Sequence, residues 1–187
     1  MAARSEKFPA SVVKRAKKIK LFLMDVDGTL TEGNVCLLAV AGAGAAAEMK
    51  VFDAHDGAGL TLAHIMGIKT GFISGRNSLA VVQRANEVHA DFVYQGQAKK
   101  IPAYRECVAK AGVKEDEVCY LGDDLPDIPL LERVGLAVAV GDATFETKQA
   151  AHYVTQARGG RGAAREVVEL ILKSQGRWKE AVPKALA

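Results

Sequence analysis

Leu21-Phe22-Leu23-Met24-Asp25-Val26-Asp27-Gly28-Thr29-Leu30 joins an apolar run to a turn carrying two carboxylates, and its reading decides the fold. The run spans residues 19–24, and comparable runs recur at 69–73, 92–94, 118–121 and 136–140. Each is short, rich in Val, Ile or Leu, and closed by Gly, Ser or Asp. Strands covered on both faces of a parallel sheet read this way, because neither face can be polar. Helical patterns lie between them at 58–66, 79–88, 99–111, 127–134 and 145–150. The alternation predicts βαβ units and an α/β, doubly wound Rossmann-like parallel sheet, with ligands at the carboxyl ends of its strands.

Residues 34–53 break that rhythm. They read as a strand (35–40), a small tip (Ala41-Gly42-Ala43-Gly44-Ala45) and a returning strand (47–52), which together predict a protruding β-hairpin. Its alanines suit a helix, but Gly42 and Gly44 weaken that alternative. An apolar hairpin exposes strand edges and greasy surface, for which self-association is the natural remedy. A last helix is expected over 162–175, followed by a tail over 176–187. No internal repeat or low-complexity linker interrupts the chain, which reads as one domain over 1–187.

Composition bounds the function. Hydrophobic residues are 49% and charged residues 25% of 187, the balance of a globular domain able to bury a core. Residues 1–20 hold seven Lys and Arg against one Glu, so the rest of the chain is net acidic although the whole carries +3. One short basic helix face reads as solvated surface, with no nucleic-acid partner implied. Cys36, Cys107 and Cys119 are widely spaced without a C-x-x-C pair, and read as small apolar residues in a reducing, cytoplasmic compartment. The start is too polar for a signal peptide, and no apolar run reaches membrane-spanning length.

The chemistry concentrates at strand ends. Asp25 and Asp27 straddle a strand-to-loop turn where both can face one pocket; a lone D-x-D is as readily a solvated turn, but its place after the buried run favours the pocket. Gly122-Asp123-Asp124-Leu125-Pro126-Asp127 follows the fourth run, and three acids within five residues repel one another unless a cation binds. Mg²⁺ suits them as a hard, oxygen-seeking ion. Asp127 has two readings, a metal-linked acid or a first-turn acid favourable to the helix dipole. Ser74, in Ile73-Ser74-Gly75-Arg76, offers a hydroxyl at a helix start for phosphate, while Ser74 or Asn77 could equally be a helix N-cap. Lys99 and Lys100 stand where the helix dipole disfavours cations, which gives one of them another purpose; either could also be plain surface.

In this order and spacing the residues resemble the haloacid dehalogenase superfamily of phosphatases, whose four motifs match Asp25-Val26-Asp27-Gly28-Thr29, Ile73-Ser74-Gly75, Lys100 and Gly122-Asp123-Asp124-Leu125-Pro126-Asp127. More narrowly the chain is similar to the capless 3-deoxy-D-manno-octulosonate 8-phosphate (KDO 8-phosphate) phosphatases. The hairpin, Phe52-Asp53-Ala54-His55-Asp56-Gly57-Ala58-Gly59, Ser74-Gly75-Arg76, Tyr94-Gln95-Gly96-Gln97 and Gly159-Gly160-Arg161-Gly162 carry that likeness over roughly residues 19–175.

The resemblance implies an aspartyl-phosphate mechanism. Asp25 is the nucleophile, Asp27 the acid and base, and Mg²⁺ is held by Asp25, the Asp27 carbonyl and Asp123. Ser74, Gly75, Arg76 and Lys100 bind the transferring phosphate, and Asp124 supports the loop or a metal-bound water. It also implies a homotetramer in which hairpins pack and a neighbour covers the site, with Arg161 or the tail reaching substrate, and a place in lipopolysaccharide biosynthesis. His55 stands where the family pattern has arginine, and the hairpin tip is Ala/Gly-rich rather than polar. Both departures bear on the sugar, with nine-carbon 2-keto-3-deoxynonulosonate 9-phosphate as the alternative and His55 as a substrate or interface contact. Two rivals remain: a receiver-like phospho-acceptor switch, which would gain nothing from Asp27, and a silent sugar-phosphate binding module.

Overall fold

The computed structural model describes residues 8–39 and 47–185. Six parallel strands form one sheet: β1 (Leu21–Met24), β4 (Lys69–Ile73), β5 (Phe92–Tyr94), β6 (Val118–Gly122), β7 (Leu136–Ala139) and β8 (Tyr153–Val154), in the spatial order β5-β4-β1-β6-β7-β8. The near-continuous apolar runs follow from burial on both faces. Phe22 and Met24 of β1 point into one core and Leu21 and Leu23 into the other; Cys119 and Leu121 of β6 alternate with Val118 and Tyr120 in the same way.

The first core is closed by α1 (Ala10–Ala16), α2 (Ala54–Ile65), α3 (Leu79–Glu87) and α7 (Ala163–Ser174). The second lies under α4 (Ile101–Ala111), α5 (Ile128–Leu131) and α6 (Phe145–Ala150). The chain leaves β1 toward β4 on one side and returns to β6 on the other. The strand order therefore reverses between β1 and β6, where such sheets open a crevice.

The hairpin is present as β2 (Cys36–Leu38) paired antiparallel with β3 (Ala47–Met49), both shorter than the sequence predicts. Its expected tip, 41–45, lies outside the described residues. Val35, Leu37, Leu38, Met49 and Val51 are exposed along it.

Elsewhere the boundaries move for physical reasons. α2 begins four residues early because the Asp53 carboxylate accepts from the His55 and Asp56 N–H groups, 2.6 and 3.2 Å away, and caps it. The Gly57 and Gly59 that hid this turn are there for close packing: a Cβ at Gly57 would run into the Arg84 guanidinium, and one at Gly59 would lie 2.9 Å from Arg165 Cδ. The helix expected at 127–134 is a 3₁₀ turn (Leu125–Asp127) followed by one α turn, since Pro126 and Pro129 remove backbone donors. The segment expected as a tail instead carries α8 (Trp178–Lys184) and folds on its own chain. Arg177 donates to the Met66 carbonyl at 2.6 Å, Trp178 lies under Arg165 and Lys173, and Ala181 is buried.

Candidate active site

The site stands at the β1/β6 reversal. Asp25 N–H donates to the Leu121 carbonyl across the two strand ends at 3.0 Å. The chain then turns so sharply that the Leu30 and Thr31 N–H groups both reach the Val26 carbonyl, at 2.9 and 3.0 Å. Gly28 makes this possible. Its φ of 93° suits glycine, and a side chain there would collide with the Asp123 carboxylate.

Asp25 is buried, and its Oδ1 accepts from Lys100 Nζ at 2.6 Å. Lys100 is buried too and bridges to Asp127 Oδ1 at 2.7 Å. Of the two candidate lysines it is Lys100 that enters the site, at the N-cap position of α4, while Lys99 stays exposed. The two carboxylates answer the dipole that would otherwise repel a cation there.

Asp123 comes from the end of β6, where its Oδ1 accepts from the Thr29 hydroxyl at 2.8 Å. Oxygens of Asp25, Asp123 and Asp127 all lie within 4.8 Å of one another. Burial, followed by the like charge of Asp25, pushes the Asp123 carboxyl up to about 8. Burial also raises Asp25, to about 6, with Lys100 opposing. For Lys100, burial works against the charged form, but Asp25 and Asp127 outweigh it and hold the ammonium above its ordinary range. Acids crowded enough to resist ionisation are the donor set a hard divalent cation relieves, so the residues fit Mg²⁺.

Asp127 turns out to be the organiser of the cluster. Its Oδ1 accepts from Lys100 and from the Tyr120 hydroxyl at 2.7 Å, and its Oδ2 from the Asp123 and Asp124 N–H groups at 3.0 and 3.3 Å. Asp124 caps the 3₁₀ turn, accepting from Leu125 N–H at 2.8 Å.

The Asp27 carboxylate is not among the three clustered acids. It is ion-paired to Lys50, and Ser74 Oγ approaches its Oδ2 at 3.4 Å. Lys50 reaches in from just beyond β3 with a buried side chain and also faces Glu48, which holds Arg76 at 2.9 Å. Ser74 is buried at the end of β4 and accepts from Arg76 N–H at 3.1 Å. Neither Ser74 nor Asn77 caps α3; Ser78 occupies that position. Gly75 leaves open space, the nearest atom to a built Cβ being 3.9 Å away.

Two candidates stay outside the cluster among the described residues. His55 is exposed on the first turn of α2, and Arg161 pairs with Glu32 at the surface at 2.7 Å. Sequence reasoning did not find Lys50, Glu48, Tyr120 or the bond made by Thr29. Lys50 and Glu48 fall in a hairpin read as apolar and protruding, and Tyr120 in an apolar run, so only Thr29, inside Asp-Gly-Thr, carried a signal.

Comparison with known proteins agrees with this geometry. The profile of the haloacid dehalogenase-like hydrolases matches residues 61–166. The 3-deoxy-D-manno-octulosonate 8-phosphate phosphatase KdsC of Escherichia coli (strain K12) is 40% identical over 172 residues, 92% of this chain and 89% of the relative. The crystal structure of that phosphatase from Yersinia pestis superposes with a TM-score of 0.86 at 39% identity, covering 91% of this chain and 89% of that one. The enzyme of Moraxella catarrhalis, solved in complex with magnesium ion, phosphate ion and KDO, gives a TM-score of 0.87 at 35% identity, with 95% and 99% covered. A sheet reversal carrying this acid–lysine cluster, matched along nearly the whole chain, leaves one conclusion: the protein belongs to the haloacid dehalogenase-like hydrolases, in the family of the 3-deoxy-D-manno-octulosonate 8-phosphate phosphatases.

Proposed function

We propose that the protein is a Mg²⁺-dependent phosphatase that hydrolyses 3-deoxy-D-manno-octulosonate 8-phosphate to the sugar acid and inorganic phosphate. The observation that carries this is the Lys100 bridge between Asp25 and Asp127, with Asp123 beside it, at the carboxyl edge of β1 and β6. Asp25 attacks phosphorus; as its bond to phosphorus forms, the bond to the sugar oxygen breaks and Asp27 gives that oxygen a proton. Asp27 then takes a proton from a water that attacks the aspartyl-phosphate, which frees phosphate and restores Asp25. Lys100 and Ser74 face the transferring oxygens, and Gly75 and Arg76 complete that wall. Lys50 orients the Asp27 carboxylate. Asp25, Asp123 and the Asp27 carbonyl would hold Mg²⁺, which supplies charge neutralisation between an anionic nucleophile and an anionic ester.

The hairpin supports a homotetramer reading, because its apolar side chains are exposed while Lys50 beside it reaches Asp27, so that a neighbouring copy packed on it would limit bulk water at the site. His55 and Arg161 belong to the sugar-facing rim in that reading. The three free cysteines support a cytoplasmic reading, and an eight-carbon sugar acid as product would suit lipopolysaccharide biosynthesis.

Phosphate release tests the scheme. Wild type with Mg²⁺ should turn over the eight-carbon ester faster than the nine-carbon 2-keto-3-deoxynonulosonate 9-phosphate. Asp25→Asn should abolish turnover, and Asp27→Asn should slow it about 10²–10⁴-fold. Full hydrolysis in the presence of a chelator, or by Asp25→Asn, overturns the proposal; a long-lived phosphoprotein in wild type would reveal a switch instead.

A further inference from the structure

Gly159-Gly160-Arg161-Gly162 lies far along the chain from the acids, yet it packs directly on the back of their loop. A Cβ at Gly159 would fall inside the Gly28 carbonyl, and one at Gly160 would lie 2.5 Å from the Thr31 carbonyl carbon. Gly160 N–H donates to the Thr29 carbonyl at 2.9 Å. Thr29 in turn donates its hydroxyl to Asp123 at 2.8 Å.

The contacts close a ring. Gly159 N–H donates to Asp142 Oδ1 at 2.9 Å, and Arg158 Nε to Asp142 Oδ2 at 3.0 Å. Two residues after Asp142, Thr144 N–H donates to the Asp123 carbonyl at 2.9 Å. The circuit thus runs from Asp123 through Thr144 and Asp142 to Gly159, Gly160, Thr29 and back to the Asp123 carboxylate. The turn itself is pinned from behind. Glu166 accepts from the Gln156 and Ala157 N–H groups at 3.0 and 2.9 Å, and the buried Asp56 accepts from Gly162 and Arg165 N–H at 3.1 and 2.9 Å.

We infer that Gly159, Gly160 and Asp142 are positioning residues for the Mg²⁺ site: the turn sets the spacing between the Asp25–Thr31 loop and the Asp123 loop, and so the affinity for the ion. The inference rests on the acid cluster's being that site. None of the three belongs to the acid cluster itself. Moving Gly28 shifts both its neighbours, and these are Asp27, whose carbonyl would be a ligand in that reading, and Thr29, which donates to Asp123. Polar groups that orient ligands from behind typically govern metal affinity by about 10–100-fold.

The test is calorimetric titration of Mg²⁺ into the metal-free protein, with the melting temperature of each variant measured alongside. Gly159→Ala and Asp142→Ala should bind Mg²⁺ about 10–100-fold more weakly. Asp142→Asn, which keeps an oxygen for Gly159, should recover most of the affinity. Gly67→Ala is the control for strain alone, since Gly67 has φ 70° and nothing within 4 Å of its built Cβ; its Mg²⁺ affinity should match wild type. If Gly159→Ala does not fold, Asp142→Ala decides, because it removes an acceptor without adding an atom.

Wild-type affinity in Asp142→Ala, or a loss in Gly67→Ala as large as in the others, overturns the inference while leaving the site's identity intact. A wild type that takes up no Mg²⁺ overturns the reading of the site and the brace with it.

Discussion

Mg²⁺ binding should expel about one proton near neutral pH, and the number follows from the acid cluster. With Asp123 at about 8 and Asp25 at about 6, the metal-free pair at pH 7 retains about 0.9 and 0.1 of a proton respectively. Because the two carboxylates titrate together, their sum is the quantity to measure, and it is about 1.0 at pH 7, about 1.5 at pH 6 and about 0.1 at pH 9. A cation bound to both carboxylates displaces these protons, so its affinity should climb about tenfold per pH unit around neutrality and level off above pH 8.

The sign for stability runs the same way. Folding raises both carboxyls above their unfolded value of 3.8, so it penalises the ionised forms. The metal-free protein is therefore least burdened below about pH 4 with respect to these two groups, and loses stability as pH rises toward 8. Mg²⁺ should restore more at pH 8 than at pH 5. Calorimetry in buffers of differing ionisation enthalpy counts the protons directly. Binding at pH 7 with no proton release, or with an affinity flat between pH 6 and 8, would refute the electrostatic account of the cluster.

Lys100→Met should cost the metal-free protein about 3–5 kcal/mol at pH 8, because it strips the cation from two buried carboxylates, and the loss should shrink at pH 5 as Asp25 protonates; urea denaturation at the two pH values decides, and equal stability at pH 8 contradicts the pairing. Asp56→Ala should cost about 1–3 kcal/mol by leaving the Gly162 and Arg165 N–H groups without their acceptor, with a change under about 0.5 kcal/mol in denaturant counting against it. In analytical ultracentrifugation wild type should sediment as a tetramer, and Leu37→Lys with Leu38→Lys should shift it toward smaller species; a monomeric wild type at micromolar concentration would remove this account of how the site is covered.

The strands were legible because a sheet covered on both faces admits little polarity: β4 and β5 fall where the pattern places them. Edge strand β8 escaped notice because Tyr153–Val154 is too short to show any period. α2 was truncated in the reading because glycines count against a helix, whereas Gly57 and Gly59 serve contacts with Arg84 and Arg165 that are remote in sequence. α8 was hidden by its isolation, since its stability comes from Trp178 and Arg177 gripping α2 and α7 rather than from its own composition. At the site, residues held on strand ends by short local turns were visible as motifs. Lys50 was not, because nothing local marks a lysine beyond a hairpin strand; only the tertiary fold brings its ammonium to Asp27.

The cluster is also poor design for stability taken alone, and that bears on what it is for. Asp25 and Asp127 are buried, share one lysine, and crowd Asp123, so ionising Asp25 and Asp123 costs free energy that hydrophobic replacements would not. A fold that only needed to stand could have placed an apolar side chain there, as it does along β1. Instead Asp127 spends both oxygens on Lys100, Tyr120 and two backbone N–H groups, a fixed frame that holds Asp25 and Asp123 close against their own repulsion. Repulsion held in place by such a frame is free energy that a cation recovers on arrival. The same crowding that weakens the metal-free protein therefore strengthens the grip on the ion, and it keeps Asp25 desolvated where it must act as a nucleophile.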